Sequence, residues 1–229
     1  MTSEMVSPRG ATAPRTTTWQ DWGFLWLVWV WACALGMGVG LLLCQLMSGP
    51  LPSTPISLMT NFVGGVIVGT TTGFAQWLVL RGFFPRERWW LLASTFAWAI
   101  AWEAGWTLQE MMDNLAGWVL GWATIGAMVG LVQGIMLSRH FRRGGWWLVA
   151  NILGYAMGGA VAGLVFDITF DIMSVVGASR TGMIIAMGGM VLGPGIVYGI
   201  ITGGVLVWMV RGGGKGKRPS RDRDGAASA

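Results

Sequence analysis

Glu103 is the one carboxylate set well inside an apolar stretch of this 229-residue chain. It falls fourteen residues beyond Trp89, about 21 Å along a helix from that end and roughly one or two turns short of the other. An acid in that setting is a candidate for handling a proton or a cation. The competing reading is a carboxylate that reaches the outer headgroups or bonds a Trp indole N–H, and it is favoured because no intramembrane base accompanies Glu103. Gln76 and Gln133 could line a polar path, but a hydrogen bond between two helices is the simpler use for a pair of amides at matched depth. Trp residues recur at helical spacing in three stripes: Trp22, Trp26 and Trp29; Trp98, Trp102 and Trp106; Trp118 and Trp122. The second and third stripes could border a groove for a quinone or another flat pigment, although anchoring and packing are the commoner uses of such stripes.

The remaining candidates are weaker. His140 is the single histidine, so a two-histidine haem site within one chain is excluded, and no Cys or carboxylate stands at metal-ligand spacing around it. Cys33 and Cys44 are the only cysteines. They lie about 16 Å apart along one helix and cannot pair with each other. Gly193-Pro194-Gly195 is expected to break or kink the last span near its outer end. No hydrolase elbow, phosphate loop, zinc signature or paired-carboxylate site is present, so no enzymatic activity is expected and no cofactor is required; a bound pigment, quinone or lipid would be an addition.

These residues need elements to hold them, and composition says what kind. The chain is 54% hydrophobic and 11% charged, whereas soluble domains carry roughly a quarter charged residues, and its mean hydropathy is +0.59. Six stretches reach the roughly 20 residues needed to span a bilayer: Trp22–Met47, Leu58–Leu80, Trp89–Leu108, Leu115–Leu137, Trp146–Phe166 and about Gly188–Val210. The expected fold is therefore an all-α integral membrane protein of six transmembrane helices. Residues 1–20 and 212–229 read as disordered tails flanking a transmembrane domain at 21–211. The first twenty residues lack the apolar core of a cleavable signal.

Charge then sets the orientation. Of 15 Lys and Arg, all but Arg180 precede the first span, follow the last, or fall in the second-to-third and fourth-to-fifth connections. The opposite connections hold Glu110, Asp113, Asp167 and Asp171. The positive-inside rule puts both termini on the cytoplasmic side of a cell membrane, most simply the bacterial cytoplasmic membrane. The net charge of +5 is accounted for by topology and by anionic headgroups. Nucleic acid is not an expected partner, because the basic tail has no aromatics to interleave.

An internal repeat organises the spans. At an offset of 57 residues, Gly64, Gly69, Gly73, Gln76, Leu80, Phe84, Arg86, Trp89, Trp90, Leu91, Ala93 and Ala99 recur without a gap as Gly121, Gly126, Gly130, Gln133, Leu137, Phe141, Arg143, Trp146, Trp147, Leu148, Ala150 and Ala156. A fainter echo at 67 pairs Trp22, Trp31 and Ala32 with Trp89, Trp98 and Ala99, and Gly199, Gly203 and Arg211 reproduce the spacing of Gly69, Gly73 and Arg81. The chain thus reads as three parallel helical-hairpin repeats, about 22–81, 89–139 and 146–211. Gly69/Gly73, Gly126/Gly130 and Gly199/Gly203 lie four apart, a spacing that lets helix backbones approach in lipid. The three Gly-rich helices are expected to pack inward and the Trp-led helices outward, with Trp89, Trp90, Trp146 and Trp147 at the cytoplasmic interface.

The run Gly69-x-x-x-Gly73-x-x-Gln76-Trp77, followed by Trp89-Trp90-Leu91-Leu92-Ala93-Ser94, resembles Gly/Trp-rich multi-pass membrane proteins of bacteria. The resemblance implies topology and carries no activity. The function expected from these features is that of a structural or accessory subunit of a membrane complex. The alternative is a small transporter or channel for a cation or an apolar solute, motivated by Glu103 and the Gly-Pro-Gly segment.

Overall fold

The computed structural model describes residues 19–48, 58–82, 89–112, 114–176 and 180–212. Among these every regular element is a helix: α1 (Trp19–Ser48), α2 (Leu58–Leu80), α3 (Trp89–Met112), α4 (Leu115–Ser138), α5 (Trp146–Val176) and α6 (Arg180–Arg211). Five of them, α1, α2, α4, α5 and α6, are long and apolar enough to cross a membrane. The exception is α3, which carries Glu103, Gln109 and Glu110. The two expected tails, apart from Trp19, Gln20 and Gly212, lie outside the described residues.

Local chemistry sets several of the ends. Asn114 caps α4 by accepting from the Gly117 N–H at 3.1 Å, which satisfies one of the donors a helix start leaves open. After Ser138 the chain turns through Phe141, whose N–H reaches the Leu137 carbonyl at 2.8 Å, and Trp146 begins α5. Within the helices Thr71, Thr95, Thr107, Thr124 and Thr202 each return the hydroxyl to a carbonyl four residues earlier. No Thr in this group needs water for its donor.

The helices form a closed ring. Each packs on its neighbours in sequence, and α1 closes on α6; no other pair of described helices brings its backbones close, and only long side chains meet across the ring. Neighbours run antiparallel, since Gly65 meets Ala99 while Gly73 meets Ser94, and Gly195 meets Ala34 while Gly203 meets Trp29. The expected inner and outer shells are therefore absent: Gly-rich and Trp-led helices alternate around one circle. The glycines face sideways, into the seam with the next helix. A Cβ at Gly69 would lie 2.5 Å from the Trp98 Cβ, one at Gly126 3.0 Å from the Tyr155 Cβ, and one at Gly199 3.2 Å from the Cys33 Cβ. Close approach of backbones is what these glycines permit.

Burial runs opposite to that of a soluble protein. Phe24, Leu27, Trp31, Leu35, Val39 and Leu42 form an exposed stripe along α1, and Leu131, Ile135, Leu153, Met157 and Leu164 do the same on α4 and α5. The buried set includes Thr72, Gln76, Ser94, Gln133, Asn151 and Thr202. Apolar outside and polar inside is the arrangement expected where lipid is the solvent and polar side chains bond across helices.

Several expectations are corrected. Trp89 and Trp146 are exposed, but Trp90 and Trp147 are 1% and 0% exposed and point into the ring; adjacent residues differ by about 100° around a helix, so a Trp-Trp pair cannot keep both rings at one surface. The echo at 67 residues does not match environments, because Trp31 is 52% exposed and Trp98 only 1%. An offset of 65 does match them, pairing Cys33 with Trp98 and Trp29 with Ser94, all buried. Helix α6 runs unbroken through Pro194. The missing Pro N–H removes one helical bond, and the Pro194 residue packs on α5 where a Cβ at Gly158 would lie 3.1–3.4 Å from it. Helix α5 continues past Phe166 to Val176 and α3 reaches Met112, so Asp167, Asp171 and Glu110 sit on helices and not in loops.

Candidate functional site: a hydrogen-bonded ring interior

The interior is built from side chains that all six helices turn towards one another. Gln133 on α4 is central. Its Nε2 donates to the Gln76 Oε1 at 3.2 Å and to the Ser94 Oγ at 3.0 Å, and its Oε1 accepts from the Trp147 Nε1 at 3.0 Å. Gln76 on α2 passes the chain on, its Nε2 donating to the Tyr198 hydroxyl at 3.2 Å and to the Cys33 Sγ at 3.7 Å. Tyr198 on α6 donates to the Asn151 Oδ1 at 3.1 Å, and the Asn151 Nδ2 donates to the Trp147 carbonyl at 2.8 Å. The bonds thus leave Trp147 by its indole and return to its backbone, each group donating to the next. A second strand links α1 to α6, where the Trp29 Nε1 donates to the Thr202 Oγ1 at 3.0 Å.

Every side chain in this cycle is at most 1% exposed. In a low-dielectric interior each bond is strengthened by its neighbours, and each unmade bond is correspondingly expensive. The position of Leu206 in the last helix corresponds to Gln76 and Gln133, and it is buried as well. Two amides and one leucine at this level explain why the cycle needs Tyr198 to close it.

Aromatic rings fill the space towards the end of the ring where α3 finishes and α4 begins. Tyr155 stacks on Tyr198 with centroids 4.2 Å apart and meets Trp98 edge-on at 5.4 Å. Trp98, Trp102 and Trp106 follow at 5.8 and 5.7 Å, and Trp122 and Trp118 pack on Trp102 and Trp106 at 6.4 and 6.2 Å. The second and third Trp stripes therefore pack on each other and on Tyr155.

The other candidates are dispersed. Glu103 lies on the outward side of α3, four residues before exposed Thr107 and three after Ile100, which is 56% exposed. Its side chain is half-buried, and its Oε2 has no hydrogen-bond partner. It belongs neither to the interior cycle nor to a metal cluster, and no grouping of His, Cys, Asp and Glu able to hold a metal occurs among the described residues. His140 contacts the Met136 carbonyl at 3.4 Å. Cys33 is inside the cycle, and the Cys44 Sγ approaches the Gly64 carbonyl at 3.6 Å.

The sequence pointed to the two glutamines and missed their partners. Tyr155 and Tyr198 are the only tyrosines in the chain, and Asn151 lies 57 residues after Ser94. Rare polar types at repeat-matched positions were the available signal. Comparison of the chain with known protein families, with curated proteins and with solved structures yields no match.

Proposed function

We propose that the chain crosses the membrane six times as three parallel hairpin repeats, with both termini cytoplasmic, and acts as a non-enzymatic structural or accessory subunit of a membrane complex. The observation that carries this reading is the sealed interior. A cycle of neutral hydrogen-bonding groups drawn from all six helices, continued by packed aromatic rings, is suited to holding a ring of helices in one arrangement. Its Ser94 hydroxyl and Cys33 thiol are bonded by the neutral amides of Gln133 and Gln76 and not by a base. The sixth span is α3: it has the length of its neighbours, joins α2 and α4 in the ring, and exposes Phe96 and Ile100 outward. The repeat is supported by the seams, since Gly73, Gly130 and Gly203 would meet Ser94, Asn151 and Trp29 at equivalent places.

Two experiments test it. Cysteine probes at Arg142 and Ser220 should label only from the cytoplasmic side, and probes at Ser53 and Ala178 only from outside; label at Arg142 on intact cells would overturn six spans. Gentle copurification from native membranes should recover a stoichiometric protein partner. The alternative reading, a small transporter or channel, draws on the unpartnered Glu103 oxygen. Ion or solute flux through reconstituted liposomes that disappears in Glu103→Gln would replace the structural reading with that one.

A further inference from the structure

The cytoplasmic end of the ring carries a cavity of about 360 Å³, lined by Phe141, Arg142, Arg143, Met209 and Gly212. It lies between the α4–α5 turn and the end of α6. Phe141 and Met209 are buried at 4% and 1% exposure and form an apolar floor, while Arg142 and Arg143 are exposed. The Arg143 guanidinium is stacked 4.2 Å from the Trp208 ring centroid, which holds it in place. Trp208 meets Trp146 edge-on at 6.2 Å, and the two are 40% and 57% exposed, as suits aromatics at the headgroup level of a bilayer.

We infer that this cavity binds the headgroup phosphate of an anionic phospholipid, with the glycerol and the first acyl carbons over Phe141 and Met209. The charge pattern favours it. The turn from Ser138 to Trp147 holds Arg139, Arg142 and Arg143 and no acid, whereas the repeat-matched turn reads Pro85-Arg86-Glu87-Arg88 and includes a carboxylate. A guanidinium is matched in shape and charge to a phosphate, and basic pockets between membrane helices on the cytoplasmic side are suited to anionic headgroups. A free phosphate would use the two arginines and leave the apolar floor and the Trp pair idle. The lipid uses all of them.

The inference rests on the membrane reading above, and the two can fail separately. Carbonate extraction of membranes reports whether the chain is integral, irrespective of the arginines. For the site, the purified full chain in mild detergent is titrated with phosphatidylglycerol, phosphatidylcholine and inorganic phosphate and followed by native mass spectrometry. Phosphatidylglycerol should bind with one tight site, phosphatidylcholine more weakly, and inorganic phosphate should compete poorly. Affinity for phosphatidylglycerol should fall about fivefold in Arg142→Ala and about thirtyfold in Arg142→Ala/Arg143→Ala, and stay unchanged in Arg81→Ala, taking roughly equal increments per cation. Arg142 is exposed, so the single variant keeps the test valid if the double variant does not fold. Equal binding of the two lipids, unchanged affinity in Arg142→Ala, or displacement by inorganic phosphate as effectively as by lipid would each overturn the site.

Discussion

The α2–α3 and α4–α5 pairs share twelve residues at the one offset of 57, Gly, Gln and Trp among them, yet their matched tryptophans end differently. The Trp147 Nε1 donates to Gln133, whereas the Trp90 Nε1 is buried with no partner. The reason lies in the residues the pairs do not share. The oxygen of Gln76 that would serve Trp90 is occupied by Gln133, and Ser94 takes the place of Asn151. Identical residues determine where the backbones meet; the differing ones decide which way the hydrogen bonds run. A repeat can thus keep its packing while its interior becomes asymmetric, and one seam carries more of the polar stabilisation than its twin.

The shared part of the comparison should show the largest effect. A side chain at Gly69 would run into Trp98 and Thr95, the latter at 3.0 Å from the Cβ, whereas Gly204 has nothing within 4 Å. Gly69→Leu is expected to cost about 3 kcal/mol or more through overpacking. Gly204→Leu should stay within about 0.5 kcal/mol. Stability against SDS or heat in detergent measures both, and a similar loss at the two sites would break the idea that seam glycines set the ring.

The unshared part comes next. Gln133→Leu leaves the Trp147 indole without its acceptor and the Gln76 oxygen without its donor, for a loss of about 2–4 kcal/mol. Gln76→Leu leaves Tyr198 bonded to Asn151 and Gln133 bonded to Ser94, so about 1–2 kcal/mol is expected. Leucine is a fair probe of both positions because Leu206 already occupies the matching place in α6. If Gln76→Leu were the more damaging, the direction of the cycle given above would be wrong.

A narrower version uses the tryptophans themselves. Both Trp90→Phe and Trp147→Phe lose ring volume, but only the second frees a buried acceptor, on Gln133. Trp147→Phe should be the worse by about 1–2 kcal/mol. Equal losses would mean that Trp90 also has a partner in the folded protein.

Much of the architecture could be read in advance. Long apolar runs ended by basic turns required helices, and the 57-residue register put Gln76 and Gln133 at one level. What could not be read was rotation. Trp89-Trp90 and Trp146-Trp147 look like interfacial pairs because the sequence gives no preference for which ring faces in. Only the seams, where Gly73 meets Ser94 and Gly130 meets Asn151, fix the turn of α3 and α5. The same ambiguity hid Tyr198 and left open whether the Trp stripes faced lipid or one another. It also drew attention to Glu103, whose depth is plain in the sequence and whose outward side is not.

The smallest predicted effect tests that rotation in the first helix. A 67-residue register makes Trp31 the counterpart of Trp98, and the two should then respond alike. In the fold Trp31 is half-exposed on the outer stripe between Leu27 and Leu35, and Trp98 touches Trp102 and Tyr155 in the interior. Lipid tails are as apolar as leucine, so Trp31→Leu exchanges one lipid-facing surface for another and should change stability by no more than about 0.5 kcal/mol. Trp98→Leu empties part of the aromatic column and should cost about 3 kcal/mol. The offset of 65 adds a second condition, because it makes Cys33 the true counterpart of Trp98. Enlarging Cys33 to Leu should then be harmful, as it is hemmed in by the α6 seam at Gly199 and by Gln76. A tolerant Cys33 together with a sensitive Trp31 would restore the 67-residue register and turn α1 through roughly half a revolution, two residues at about 100° each.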